Sequence, residues 1–186
     1  MEMKKVDSVT QSYFENLEVK DKDLQIEAFI AINATINEEV DWAYEVWDQL
    51  KEWLTDADNH RRSRGAQFLA GLAKSDPEKR ILNDFPALWE VTKDPKFVTA
   101  RHSLQSIWRV GLAGKEQKEM VLNHIEDRFL NGAHEKHYTL IRFDMIQGLK
   151  NLYDALKEEE IKQIAMDLIE TEEDIKYRKK YMTVWK

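Results

Sequence analysis

Cysteine is absent from this 186-residue chain, which excludes disulfides, thiolate metal sites and cysteine nucleophiles and accords with a reducing compartment. Only three prolines and six glycines are present, so few residues can break a helix from within. No apolar run approaches the length that spans a bilayer, and the start MEMKKVDSV lacks the apolar stretch of a secretion signal. A cytoplasmic protein that does not use the membrane is therefore expected. The glycines are isolated, so no phosphate-cradling loop is seen, and neither a nucleophile elbow nor a Ser/His/Asp signature occurs. Neither an enzyme active site nor a cofactor or other small-molecule ligand is expected. The net charge of −7 argues against indiscriminate nucleic-acid binding.

What the chain does contain is apolar residues at steps of three and four along nearly its whole length, with no sustained alternation of period two. The spacing predicts ten helices and no sheet. The clearest, over 40–55, carries Val40, Ala43, Trp47, Leu50 and Leu54, widened by Trp42, Val46 and Trp53. Asp76-Pro77 and Asp94-Pro95 each read as an N-cap carboxylate followed by proline at the first helical position. Phe85-Pro86 predicts an interruption of the helix near 77–92, Gly111 and Gly114 a stop after 95–113, and Asn131-Gly132 a stop after 116–131. The remaining stripes are Val9, Tyr13 and Leu17; Leu24, Ala28, Ile32 and Ile36; Tyr138, Ile141, Met145, Leu149 and Leu152 over 134–155; Ile161, Ala165 and Leu168; and Ile175, Tyr177, Tyr181, Val184 and Trp185.

Arginine recurs at Arg64, Arg101, Arg142 and Arg178, at steps of 37, 41 and 36 residues, each time in an apolar helix pattern that follows an acidic one. Such steps suit two-helix repeats, in which one hairpin must stack on the next to bury its apolar face. Asp94-Pro95 followed by Val98, Arg101, Leu104 and Trp108, and Tyr138 followed by Arg142, Met145 and Leu149, resemble the HEAT repeat. The resemblance implies an all-α, armadillo-type α-solenoid in one domain over 1–186, with about five hairpins at roughly 6–37, 38–75, 76–114, 115–156 and 157–186. It also implies that the repeated arginines are structural rungs between hairpins. In the second hairpin Arg61, Arg62 or Arg64 could occupy that column.

Charge separates by helix class. After the opening hairpin the four second helices (59–74, 95–113, 134–155, 172–186) sum to +9 and the four first helices (38–55, 77–92, 116–131, 157–171) to −11. HEAT-like folds generally line their concave wall with second helices, so a basic groove that attracts an anionic partner is expected. Arg109, Lys150 and Lys186 lie eight residues past an arginine, about 80° further round a helix, and should face solvent. The candidate partner-binding residues are Arg61, Arg62, Arg109, Lys150 and Lys179, with Trp108 and Trp185 as anchors. The expected partner is a protein with an acidic surface; the alternative is nucleic acid. The chain also resembles, in architecture and charge, the HEAT-like DNA glycosylases of alkylation repair, a resemblance under which Trp108 or Trp185 would stack on a base and Asp144 would lie on the inner wall. Leu112, not a carboxylate, stands four residues after Trp108, which favours the non-catalytic reading. His134 and His137 form H-x-x-H, but two ligands with Glu135 nearby are too few for a metal site, and none is expected.

Overall fold

Aspartates set half of the helix starts. In a computed structural model describing residues 5–186, the side chains of Asp7, Asp21, Asp58 and Asp174 each accept a backbone N–H from the first turn of the helix they precede. Asp94 does the same for Lys96 N–H at 2.8 Å, one residue ahead of a helix start. Each such bond satisfies one of the donors that a helix leaves orphaned at its N-terminus. The first four residues of the start MEMKKVDSV lie outside the described residues.

The ten helices are α1 (Ser8–Asn16), α2 (Lys22–Thr35), α3 (Ala43–Trp53), α4 (Asn59–Leu72), α5 (Arg80–Val91), α6 (Phe97–Ser106), α7 (Lys115–Asn131), α8 (Tyr138–Leu156), α9 (Glu159–Glu170) and α10 (Ile175–Met182). The chain is all-α, with no strand among the described residues. The even-numbered helices touch in chain order, α2 with α4, α4 with α6, α6 with α8 and α8 with α10, and each odd helix packs on the even one that follows it. One continuous core runs from Leu17 to Tyr181, with Trp47, Phe68, Phe85 and Phe129 wholly enclosed. Burying each large apolar side chain of this kind stabilises the fold by roughly 1.5–3 kcal/mol, which is what holds short helices in place. No helix among the described residues is long and apolar enough to cross a membrane.

Several local expectations change. Asp76 does not cap a helix at Pro77: the helix begins at Arg80, Lys79 adopts a left-handed backbone (φ 54°), and the Asp76 carboxylate accepts both the Ile81 N–H and the Tyr44 hydroxyl. Pro86 does not interrupt α5, which runs through it; the ring is exposed, so water can reach the backbone beside the missing donor. α6 gives way after Ser106 to a 3-10 segment, Ile107–Leu112, and α8 starts at Tyr138 rather than 134, after a turn ending in left-handed His137 (φ 63°). Gly132 closes α7 at φ −91°, without the left-handed conformation. Val9 (61% exposed), Val98 (65%) and Ile175 (64%) are not core residues, because the caps at Asp7, Asp94 and Asp174 fix a helical phase that turns them to solvent.

Candidate functional site

Counting from the cap aspartates gives the true register of the arginines. Arg62 and Arg178 each lie four residues past a capping aspartate, and each guanidinium bonds carbonyls left open where the preceding helix ends: Arg62 takes Asp56 O (2.7 Å) and Ala57 O (3.1 Å), and Arg178 takes Glu172 O (2.6 Å). Arg142 does the same at Phe129 O (2.8 Å). Positive charge is favoured near helix C-termini, and these bonds lock α3 to α4, α7 to α8 and α9 to α10. Arg62 reaches onward to Asp94 and Arg142 to Glu172, tying neighbouring hairpins together. In α6 the corresponding position is Val98; there the Thr92 carbonyl is served instead by Arg128 of α7, which also holds Glu135. Arg64 and Arg101 therefore belong to different positions from Arg142 and Arg178. Arg64 bonds Leu17 O and Gln25, and Arg101 makes a two-point pair with Asp144 at 2.8 Å.

The expected solvent-facing column also changes. Arg109 points inward: its guanidinium bonds Asn33 Oδ1 (3.3 Å), Ile36 O (3.4 Å) and Asn37 Oδ1 (3.0 Å) at the end of α2, crossing over Gly71 of α4 to reach them. Burial pushes its pKa down. The reason lies in the backbone, because the 3-10 segment advances 120° per residue instead of 100° and so moves Arg109 out of the extrapolated phase. Lys150 pairs with Asp154 and stands 5.8 Å over the Trp185 ring, which in turn lies 5.5 Å from Tyr153. Lys179 and Lys186 are exposed. Trp108 is half-buried against Gly148. Arg61 is paired with both Glu18 and Asp56. Lys150 and Trp185 thus come together, while Arg61, Arg62 and Arg109 are engaged elsewhere as struts between elements.

Once these pairings are made, one groove of about 340 Å³ keeps cationic character across three even helices. Its lining comprises Lys22, Gln25, Ile26 and Phe29 of α2, His60, Ser63, Arg64 and Gln67 of α4, and His102 of α6, with no carboxylate among the lining residues. Arg64 is half-buried and has no ion-pair partner among the described residues. Burial lowers its pKa, and the fields of Glu18 and Asp58 offset part of that effect. A guanidinium desolvated without a full counter-charge favours an incoming anion. His60 and His102 were not singled out from the sequence. The signal was available in the cap register, since His60 follows Asp58 by two residues and Arg64 follows His60 by four, one helical turn.

The other suspected chemistry is structurally committed. Asp144 is buried (2% exposed) between Arg101 and Gln105. His134 contacts the Asn131 carbonyl, whereas the His137 ring packs at a tilt against Phe97 with centroids 4.6 Å apart. Among the described residues no cluster of metal-ligating side chains forms. No family model matches the chain, and no curated protein matches it either.

Proposed function

We propose that this chain is a HEAT-like α-solenoid acting as a non-catalytic scaffold, and that it binds an acidic segment of a protein partner in the groove over α2, α4 and α6. The serial contact of the even helices supports the architecture, since stacked hairpins present an extended wall of second helices. The observation that carries the function is Arg64, a half-buried cation on the groove floor, flanked by Lys22, His60 and His102, with no acid lining the groove.

A protein partner suits this site better than a duplex. The groove takes one or two side chains, while a duplex presents a long phosphate array to a chain of net charge −7. The test is fluorescence anisotropy with a labelled Glu-rich peptide and a labelled duplex oligonucleotide, each at two salt concentrations. Micromolar peptide binding that weakens at least about tenfold in Arg64→Gln and in Lys22→Glu is the expected result, about 1.4 kcal/mol for each substitution. Circular dichroism confirms that the variants remain folded. Duplex binding without peptide binding would transfer the reading to nucleic acid, and base release from alkylated DNA would make the protein an enzyme. Failure of both ligands to bind would remove the groove as a site.

A further inference from the structure

The start of the chain is acidic and the last helix is basic. Residues 1–58 contain fifteen acidic and five basic side chains, whereas 175–186, which follow Glu172, Glu173 and Asp174, contain Lys176, Arg178, Lys179, Lys180 and Lys186 and no acid. The even helices at these ends also keep apolar residues in water. On α2, Ile26 is 56% and Ile30 61% exposed, in a shallow depression edged by Asp23 and Glu27. On α10, Ile175 is 64% exposed, with Lys176 beside it and Lys179 one turn on, both exposed. Neither Glu27 nor Lys179 has an ion-pair partner among the described residues.

The orientation of these faces follows from what the opposite sides touch. Gln25, Phe29 and Asn33 of α2 meet Arg64, Phe68 and Arg109, so Glu27 and Ile30 lie on sides of α2 turned away from α4. Tyr181 and Lys180 of α10 meet Thr139 and Phe143 of α8, so Ile175 and Lys179 point away from α8. Terminal elements of a stacked series normally show a polar outer face. Here each shows exposed isoleucine beside charge, Asp23 and Glu27 on α2 and Lys176 and Lys179 on α10, with Lys22 one turn before Ile26 and Asp174 just before Ile175.

We infer that a second copy of this chain occupies these faces, with α10 of one molecule packing on α2 of the next. Ile175 would meet Ile26 and Ile30, and Lys176 and Lys179 would meet Asp23 and Glu27, continuing the even-helix series across the junction. Such a contact is heterologous, since the two surfaces differ, and it generates open chains rather than a closed dimer. One helix pair buries little area and relies on exposed charges, so the association is weak and salt-sensitive.

Sedimentation velocity over a concentration series tests the inference. At roughly 50 mM salt, where screening is weak, the weight-average sedimentation coefficient of the full chain rises with protein concentration, and at about 500 mM salt the rise is lost. Glu27→Lys with Ile30→Lys blocks the α2 end, and Ile175→Gln with Lys179→Gln blocks the α10 end; each doubly substituted protein sediments as a monomer. Mixing the two restores one intact face of each kind and gives a species that stops at a 1:1 dimer. A monomer at every concentration in low salt overturns the inference, as does association that survives both blocks or a mixture that does not pair. The groove variant Arg64→Gln leaves this association unchanged, which separates it from the binding reading.

Discussion

Arg109 and Gly71 fit together because Gly71 has no side chain. A β-carbon at position 71 would lie 2.6 Å from Arg109 Nη2 and 2.7 Å from Ile36 Cδ1. Glycine inside α4 sacrifices up to about 1 kcal/mol of helix propensity relative to alanine, yet it lets a guanidinium from the α6 side reach the open carbonyl end of α2. Three even helices are joined by this one side chain.

Gly71→Ala is therefore expected to destabilise by about 1–2 kcal/mol, the gain in propensity being outweighed by displacement of a guanidinium bonded to three acceptors. In an Arg109→Ala background the same change should cost less, leaving only the close contact with Ile36 Cδ1. Urea denaturation of the two single variants and the double variant gives the coupling energy. Equal costs of Gly71→Ala in both backgrounds would mean that Arg109 and residue 71 do not compete for space.

The Arg142–Glu172 pair is buried on both sides, at 8% and 4% exposure, with an N–O distance of 2.7 Å. Arg142 also closes the end of α7 through Phe129 O, and Glu172 accepts from Asp174 N–H. Removing one partner leaves a charge without compensation in the interior, so Glu172→Leu is expected to cost about 3–5 kcal/mol. Replacing both, as Arg142→Met with Glu172→Leu, should recover a substantial part of that loss. Thermal unfolding of the three variants decides; a double variant as unstable as the sum of the singles would show that the pair is not a unit.

The contrast between these pairs and the arginine spacing explains what could be read from the chain alone. Stripes such as Ala43, Trp47, Leu50 and Leu54 were legible because helical phase within one element depends only on local spacing, and all four are buried. Phase across elements is not local. The steps separating Arg64, Arg101, Arg142 and Arg178 look regular, but the longer turn before α8 shifts the register, and Arg62 rather than Arg64 matches Arg178. Asp76 was read as an ordinary cap because Pro77 follows it, while its partners, Tyr44 and Ile81, lie 32 residues back and five ahead. Lys150 and Trp185 were each named from the sequence, but their contact was not, and neither lines the candidate groove. The groove around Arg64 was not legible, since its lining becomes apparent only after other cations have found their carboxylates.

Glu135 should give a measurable acid limb. The Arg128 guanidinium bonded to it holds its carboxyl below the usual range, against the opposing effect of burial. A carboxylate whose folded pKa is depressed contributes stability that is present above its unfolded value, about 4.3, and is lost as pH falls through the folded value. Glu135→Gln should therefore lower stability at pH 7, and the deficit should shrink as pH falls from about 4.3 toward 2.5. Denaturation curves at both values check this. A deficit of equal size at pH 2.5 would assign the effect to packing rather than charge.

Glu126 on α7 should behave in the opposite sense. Burial raises its pKa, and the carboxylates of Glu160 and Asp167 on α9 raise it further. Its ionised form is thus disfavoured more in the folded than in the unfolded chain, so at pH 7 it subtracts stability, and the penalty disappears as pH falls below the unfolded pKa. Glu126→Gln keeps the shape and removes the charge. The expected gain at pH 7 is modest, roughly 0.5 kcal/mol or about 1–2 °C in Tm, because the group is half-buried and partly screened by water. At pH 3 the gain should vanish. Since Lys118 already neutralises Glu158 beside Glu160, the variant Lys118→Met strengthens the acidic field around Glu126 and should enlarge the benefit of Glu126→Gln. A benefit indifferent to both pH and Lys118 would place its origin in helix propensity instead of electrostatics.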